Sequence, residues 1–330
     1  MPKLEVICFL RGYSIFTIIL MHLAKSSSTG LMKTALSFGG AGVHVFILVS
    51  GFGLYLSYLN HPTTYTEFLK KRFIKVYLPY LLILPAFVVF YLIAKHSFDI
   101  LTLTSHVFLF KMFSHTWDTS YAYSLWFIST IIQFYLCWPL IVKLAKMKKG
   151  WLIAIVISLA WATLVGLLDK QSDRAWSSFF LQYLWEFVIG MKLGELYHKH
   201  PERLKVPGFA WLLAGAVLGM ALTGVMGKMG GVLKLYNDIP SLIGYLSLAL
   251  TIYQLSIPFI NWFFVFADSM GYEWYLVHGL TIMALRHPLY SIMPKSAALL
   301  ACLLVSFLIA FIYHKALMLI KKYERKRFQY

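Results

Sequence analysis

The stretch 151-WLIAIVISLAWATLVGLL-168 decides the fold. It carries no charge from end to end and shows no alternation of polar and apolar residues. A helix needs about 20 residues to cross the hydrocarbon layer of a bilayer, and this run is of that order. The strands of a membrane barrel would alternate. In lipid, a helix satisfies its backbone polar groups within one segment. Working outward, similar runs occupy approximately 5–24, 40–59, 76–94, 123–142, 177–197, 209–226, 239–257, 271–286 and 297–319, with 151–168 fifth in order. The expectation is an all-α, polytopic transmembrane helix bundle of about ten spans. It is read as a single integral-membrane domain over residues 1–330, with no appended soluble domain.

Composition agrees. The chain is 60% hydrophobic and 13% charged, against about 45–50% and 25% for a soluble domain. The net charge of +17 could suggest nucleic acid, but its distribution excludes that partner. The cations cluster in short segments between apolar runs: Lys70, Lys71, Arg72 and Lys75, then Lys143, Lys146, Lys148 and Lys149, then Lys199, Arg203 and Lys205, and finally the tail from Lys321 to Arg327. With ten spans, all four clusters share one side. The positive-inside rule makes that side the cytoplasm and places both termini there. The longest external loop is then 95–122. Its stretch 101-LTLTSHVFLFKMF-113 suits a segment lying flat in the interface, anchored by Trp117, Tyr121 and Tyr123. Cys8, Cys137 and Cys302 all lie in apolar stretches without metal-type spacing. No histidine grouping of metal type is visible either, so no metal is expected.

Ionisable residues inside spans mark functional sites by default. Arg11 and His22 both lie in the first span. Eleven residues at 100° each bring them to one helix face, about 16 Å apart along the axis. One face thus offers an anion-binding guanidinium near the inner surface and a titratable imidazole in the outer half. By themselves the two residues also fit a snorkelling arginine and an interfacial histidine. Arg72 and Lys75 sit one helical turn apart. They suit either phosphates or anionic headgroups. Ser50-Gly51 permits close helix packing or lines a passage. Gln133 and Tyr135 are polar positions deep in the fourth run. Glu186 is a costly carboxylate in the sixth, to be protonated or paired, with His22, His44 and His278 as candidate partners.

The segment 10-LRGYSIFTIILMHL-23 resembles the first helix of the acyltransferase-3 family, multi-pass membrane O-acyltransferases whose hallmark is Arg, ten residues, then His. Four further segments resemble the family in order. They are 39-GGAGVHVFILVSGFGLYLSY-58, 71-KRFIKVYLP-79, 125-LWFISTIIQFYLCWPL-140 and 272-YEWYLVH-278. The chain departs from the family pattern at His44, where Asp is common, at Lys75 for a second Arg, at Gly271 for Ser, and at Ile131 and Ile132 where some members carry acids.

The resemblance implies an enzyme of the cell membrane that moves an acyl group, most simply acetyl, from cytoplasmic acyl-CoA to a sugar hydroxyl of a surface or lipid-linked glycan. It implies His22 and Arg11 as catalytic residues and Arg11, Arg72 and Lys75 as the donor-binding set. Ser50, Trp126, Tyr135 and His278 are the implied substrate-binding residues. Acyl-CoA is a substrate rather than a resident cofactor. The expected partners are that donor, the glycan and membrane lipids, and a homo-oligomer is compatible with them. The same buried charges also fit a glycolipid transporter or flippase, which turnover of acyl-CoA would distinguish.

Overall fold

A computed structural model describes residues 4–95, 99–118, 120 and 123–327, and no strand occurs among them. The main helices are α1 Glu5–Ala24, α2 Gly42–Asn60, α3 Leu78–Lys95, α4 Trp126–Leu136, α5 Trp138–Lys146, α6 Gly150–Leu167, α7 Leu184–Lys199, α8 Phe209–Met229, α9 Asp238–Gln254, α10 Pro258–Ser269, α11 Gly271–Ile292 and α12 Lys295–Arg327. Six helical stretches among the described residues are long and apolar enough to cross a membrane: 5–24, 32–60, 65–94, 150–167, 209–229 and 295–320. A seventh results if α4 and α5, bent by 64° at Cys137, count as one span. The bend has a local cause. Pro139 lacks an N–H and crowds the carbonyl four residues back, so a straight helix cannot pass through it. The runs expected at 177–197, 239–257 and 271–286 are helical over most of their length. The first two are short and the third is too polar to meet the same measure.

Outward faces carry large apolar side chains, among them Trp211 at 79% and Leu218 at 64% exposure on α8. Such continuous apolar surface suits lipid rather than water. The chain is an integral membrane protein.

Glycines set the closest crossing. A Cβ on Gly51 would lie 2.1 Å from the Phe187 carbonyl oxygen, and one on Gly190 would lie 1.9 Å from that of Leu48. Contact advances from Leu48–Gly190 to Phe52–Gly194, so α2 and α7 run parallel. α11 and α12 run antiparallel: the Trp274 indole donates to Ser306, and Ile282 packs with Cys302.

The segment expected to be external forms a short helix, Ile100–Val107, and a tight turn, Lys111–Phe113. It exposes Ile100, Leu101, Phe108 and Phe113 and buries His106 and Lys111. Tyr121, one of its expected anchors, lies outside the described residues.

Candidate active site

A cavity of about 600 Å³ lies within the bundle, and it gathers most of the residues singled out in the sequence. Arg11, His22, Ser50, Arg72, Lys75, Trp126 and Tyr135 all line it. α1 is unbroken from Glu5 to Ala24, so the helical spacing holds. Arg11 and His22 face the same cavity about 16 Å apart along the axis.

The Arg11 end is built by close packing. A Cβ on Gly12 would stand 1.8 Å from the Phe264 carbonyl oxygen, so α10 lies directly on α1. One turn further along α10, Asp268 meets the guanidinium side-on. Arg11 Nε donates to Oδ1 at 2.7 Å and Nη2 to Oδ2 at 2.8 Å. Arg11 is therefore an oriented cation, fixed through two of its nitrogens, not a free one.

Arg72 and Lys75 reach the same end from 65–94. Residues Phe73–Tyr77 form one turn of π-helix. Pro79 explains it: the missing N–H leaves the Lys75 carbonyl without its usual donor, and the wider turn accommodates the gap. Arg72 lies over the Phe68 ring at 5.6 Å and lines the cavity together with Tyr135. Its Nε is buried without a hydrogen-bond partner among the described residues. A buried guanidinium donor beside a cavity is a ready anion site.

α11 closes one wall. Tyr272 donates to the Val76 carbonyl at 2.6 Å and Tyr275 to that of Ser124 at 2.9 Å. The two tyrosines of the Tyr-x-x-Tyr-Leu-x-His segment thus pin α11 to two neighbours. His278, three residues on, does not line the cavity. It is fully buried behind His22, with ring centres 5.3 Å apart. Its Nδ1 lies 2.6 Å from the Tyr275 carbonyl. A carbonyl only accepts, so Nδ1 carries the proton, and in the neutral ring the buried Nε2, which has no partner among the described residues, is an acceptor.

Ser50 and Gly51 divide the two roles open to them: Ser50 lines the cavity and Gly51 packs on α7. Gln133 serves packing, its Oε1 accepting from the Phe180 N–H at 3.1 Å. Of the three histidines open to Glu186, His44 is the partner. One turn along both helices from the Leu48–Gly190 contact, His44 Nδ1 lies 2.8 Å from Glu186 Oε1. Its Nε2 is 3.6 Å from Asp238 Oδ1, and Gln182 donates to the other Asp238 oxygen at 2.8 Å. The ligand-type atoms of His44, Glu186 and Asp238 all lie within 4.8 Å of one another. This grouping was invisible in the sequence because its members come from three separate helices. Both imidazole nitrogens face carboxylates, an arrangement suited to an imidazolium between two anions.

Sequence reasoning missed Asp268, Glu273, His314 and Arg174, which also line the cavity. His314 Nδ1 lies 3.3 Å from Glu273 Oε1. Asp268 and Glu273 carried a usable signal, the first an acid beside an apolar run and the second an acid inside one. Arg174 carried none, because it sits in a short polar link between two runs.

The chain matches the family model Acyl_transf_3, described as an acyltransferase domain, over residues 6–315. No curated protein and no solved structure matches it.

Proposed function

Because the chain belongs to the Acyl_transf_3 acyltransferase family and is an integral membrane enzyme that transfers acyl groups, we propose that its donor is cytoplasmic acyl-CoA, most simply acetyl-CoA, and its acceptor a sugar hydroxyl of a surface or lipid-linked glycan. The observation that carries this reading is the continuity of the cavity, which links Arg11, Arg72 and Lys75 with His22. A guanidinium grips phosphate through paired N–H groups. The buried Nε of Arg72, without a hydrogen-bond partner among the described residues, supports a role of that kind. The donor's phosphates rest at the cationic end and its thioester extends along the cavity towards His22.

The transfer then runs as follows. His22 accepts the proton of the acceptor hydroxyl. The oxygen attacks the thioester carbonyl, the tetrahedral intermediate collapses, and the C–S bond breaks. The proton passes from His22 to the departing thiolate. The product is an ester plus free coenzyme A. In the covalent variant of this scheme His22 first takes the acyl group itself. The parallel crossing of α2 and α7 supports the ten-span arrangement, since the second and sixth spans of that scheme point the same way. In that scheme both termini are cytoplasmic, the chain is one membrane domain, and it resides in the cell membrane.

The test uses purified protein in nanodiscs with radiolabelled acetyl-CoA. Wild type releases coenzyme A or transfers label, and folded His22→Ala and Arg11→Ala lose at least about a hundredfold, the scale of a general base. Full turnover by His22→Ala would end this assignment. Inert wild type together with glycolipid movement across liposomes would replace it with a transporter.

A further inference from the structure

At the His22 end of the cavity stands a second cation that the transfer scheme does not use. Arg174 opens the short helix Arg174–Ser177. Its guanidinium lies 4.9 Å from the centre of the Trp126 ring, and its Nε donates to Asp118 Oδ2 at 3.2 Å. Arg174, Trp126 and His22 all line the cavity, and the Arg174 side chain is 36% exposed. Trp126 covers one face of the guanidinium and Asp118 holds its inner edge. The two terminal nitrogens, with their N–H donors, meet no acceptor among the described residues.

We propose that Arg174 and Trp126 form the acceptor subsite, and that the acceptor carries an anionic group, carboxylate or phosphate, beside the hydroxyl presented to His22. This rests on the acyl-transfer reading of the same cavity. Three features argue for it. A guanidinium held at its Nε keeps a planar fork that matches carboxylate and phosphate oxygens. A neutral sugar would offer the remaining N–H donors of that fork only uncharged acceptors. The donor's phosphates are placed at Arg72 and Lys75, so the anion at Arg174 comes from the other substrate. Trp126 adds an aromatic surface of the kind that sugar C–H groups pack against.

The test measures binding by the full chain in nanodiscs, independently of turnover. The probes are a glucuronate-containing disaccharide, the matching neutral glucose disaccharide, and a hexose 1-phosphate with its neutral hexose. Wild type should bind one or both acidic probes about ten- to a hundredfold more tightly than the neutral counterpart, the scale of a charge-assisted hydrogen-bond pair. Arg174→Gln should erase that preference. Arg174→Lys keeps the charge and the bond to Asp118 but loses the fork, so it should retain only part, and it stands in if the Gln variant does not fold. The glucuronate and phosphate arms separate the two sources of the anion. Equal binding of acidic and neutral probes by wild type overturns the proposal, as does a preference that survives Arg174→Gln. Failure of acetyl-CoA turnover, measured separately, would count against the acyl-transfer reading. An anion preference surviving that failure would still locate the subsite.

Discussion

Replacing Asp268 with Asn tests the organisation of the cationic end most directly. The substitution keeps the shape of the side chain and removes its charge. It leaves Arg11 with at most one oxygen where it now has two bonds, at 2.7 and 2.8 Å. Each charge-assisted bond is worth about 1.5–3 kcal/mol. Breaking a fully buried ion pair costs about 3–5 kcal/mol. Here Asp268 is 6% exposed but Arg11 is 34% exposed, so solvent reaches one partner and screens the loss. The expected cost is about 2 kcal/mol, seen as a lower midpoint in a thermal unfolding assay in detergent. The functional consequence follows from the geometry. Asp268 fixes Nε and Nη2, so on the proposed scheme the guanidinium meets the donor phosphate from a fixed position. Without that grip Arg11 must be ordered anew by each donor molecule, so KM for acetyl-CoA should rise about tenfold while kcat falls less. A cycle with Arg11→Lys and the double variant isolates the coupling between the two residues. The reasoning fails if Asp268→Asn melts with wild type and binds donor as tightly. A donor affinity that improves would mean that Asp268 competes with the phosphate instead of positioning its partner.

Two further predictions concern the scaffold. Gly51→Ala should destabilise the protein by about 1–3 kcal/mol or more, because its methyl would sit 2.1 Å from a backbone oxygen that has no rotamer to yield. Gly53→Ala, where a Cβ meets nothing within 4 Å, is the control, and equal melting of the two variants would refute the packing argument. Lys111, outside the spans, has its ordinary pKa of 10.5 pulled down to about 7, chiefly by burial. The folded form therefore holds fewer protons than the unfolded one between about pH 7 and 10.5. Stability of this segment should be fully present above 10.5 and decline as pH falls through 7, by roughly 5 kcal/mol at most. Lys111→Met should flatten that dependence and stabilise the segment at pH 6. Hydrogen exchange of residues 99–118 against pH reads the effect, and identical profiles for the two proteins would dismiss it.

What the sequence disclosed and what it withheld divide along a physical line. Residues related by a helical period were legible. Arg11 and His22 share a face because 3.6 residues make a turn, and nothing in the packing of α1 alters that. Arg72 and Lys75 were legible for the same reason, even with a π-turn beginning at Phe73. Long apolar runs announced membrane helices, but hydropathy alone counted about ten where six or seven stretches meet a strict measure of length and apolarity. Two of the runs that fall short are limited by length, at 16 and 17 residues, and the third by its polar residues. Glu186 pairs with His44 across α2 and α7, and His278 on α11 backs His22 on α1. Partnership between helices is what periodicity cannot express. Asp268 stands 257 positions from Arg11 and Asp118 stands 56 from Arg174, and no local pattern joins either pair. Yet such pairs carry much of the chemistry proposed for this cavity. In a medium that solvates no charge, each cation must be held by an acid or an aromatic ring before a substrate arrives. The partner therefore decides which edge of the cation the substrate meets. On the proposed scheme, the part of Arg11 that Asp268 does not hold serves the donor, and the part of Arg174 that Asp118 does not hold serves the acceptor. Two arginines of the same chemistry would then serve different substrates because different acids hold them.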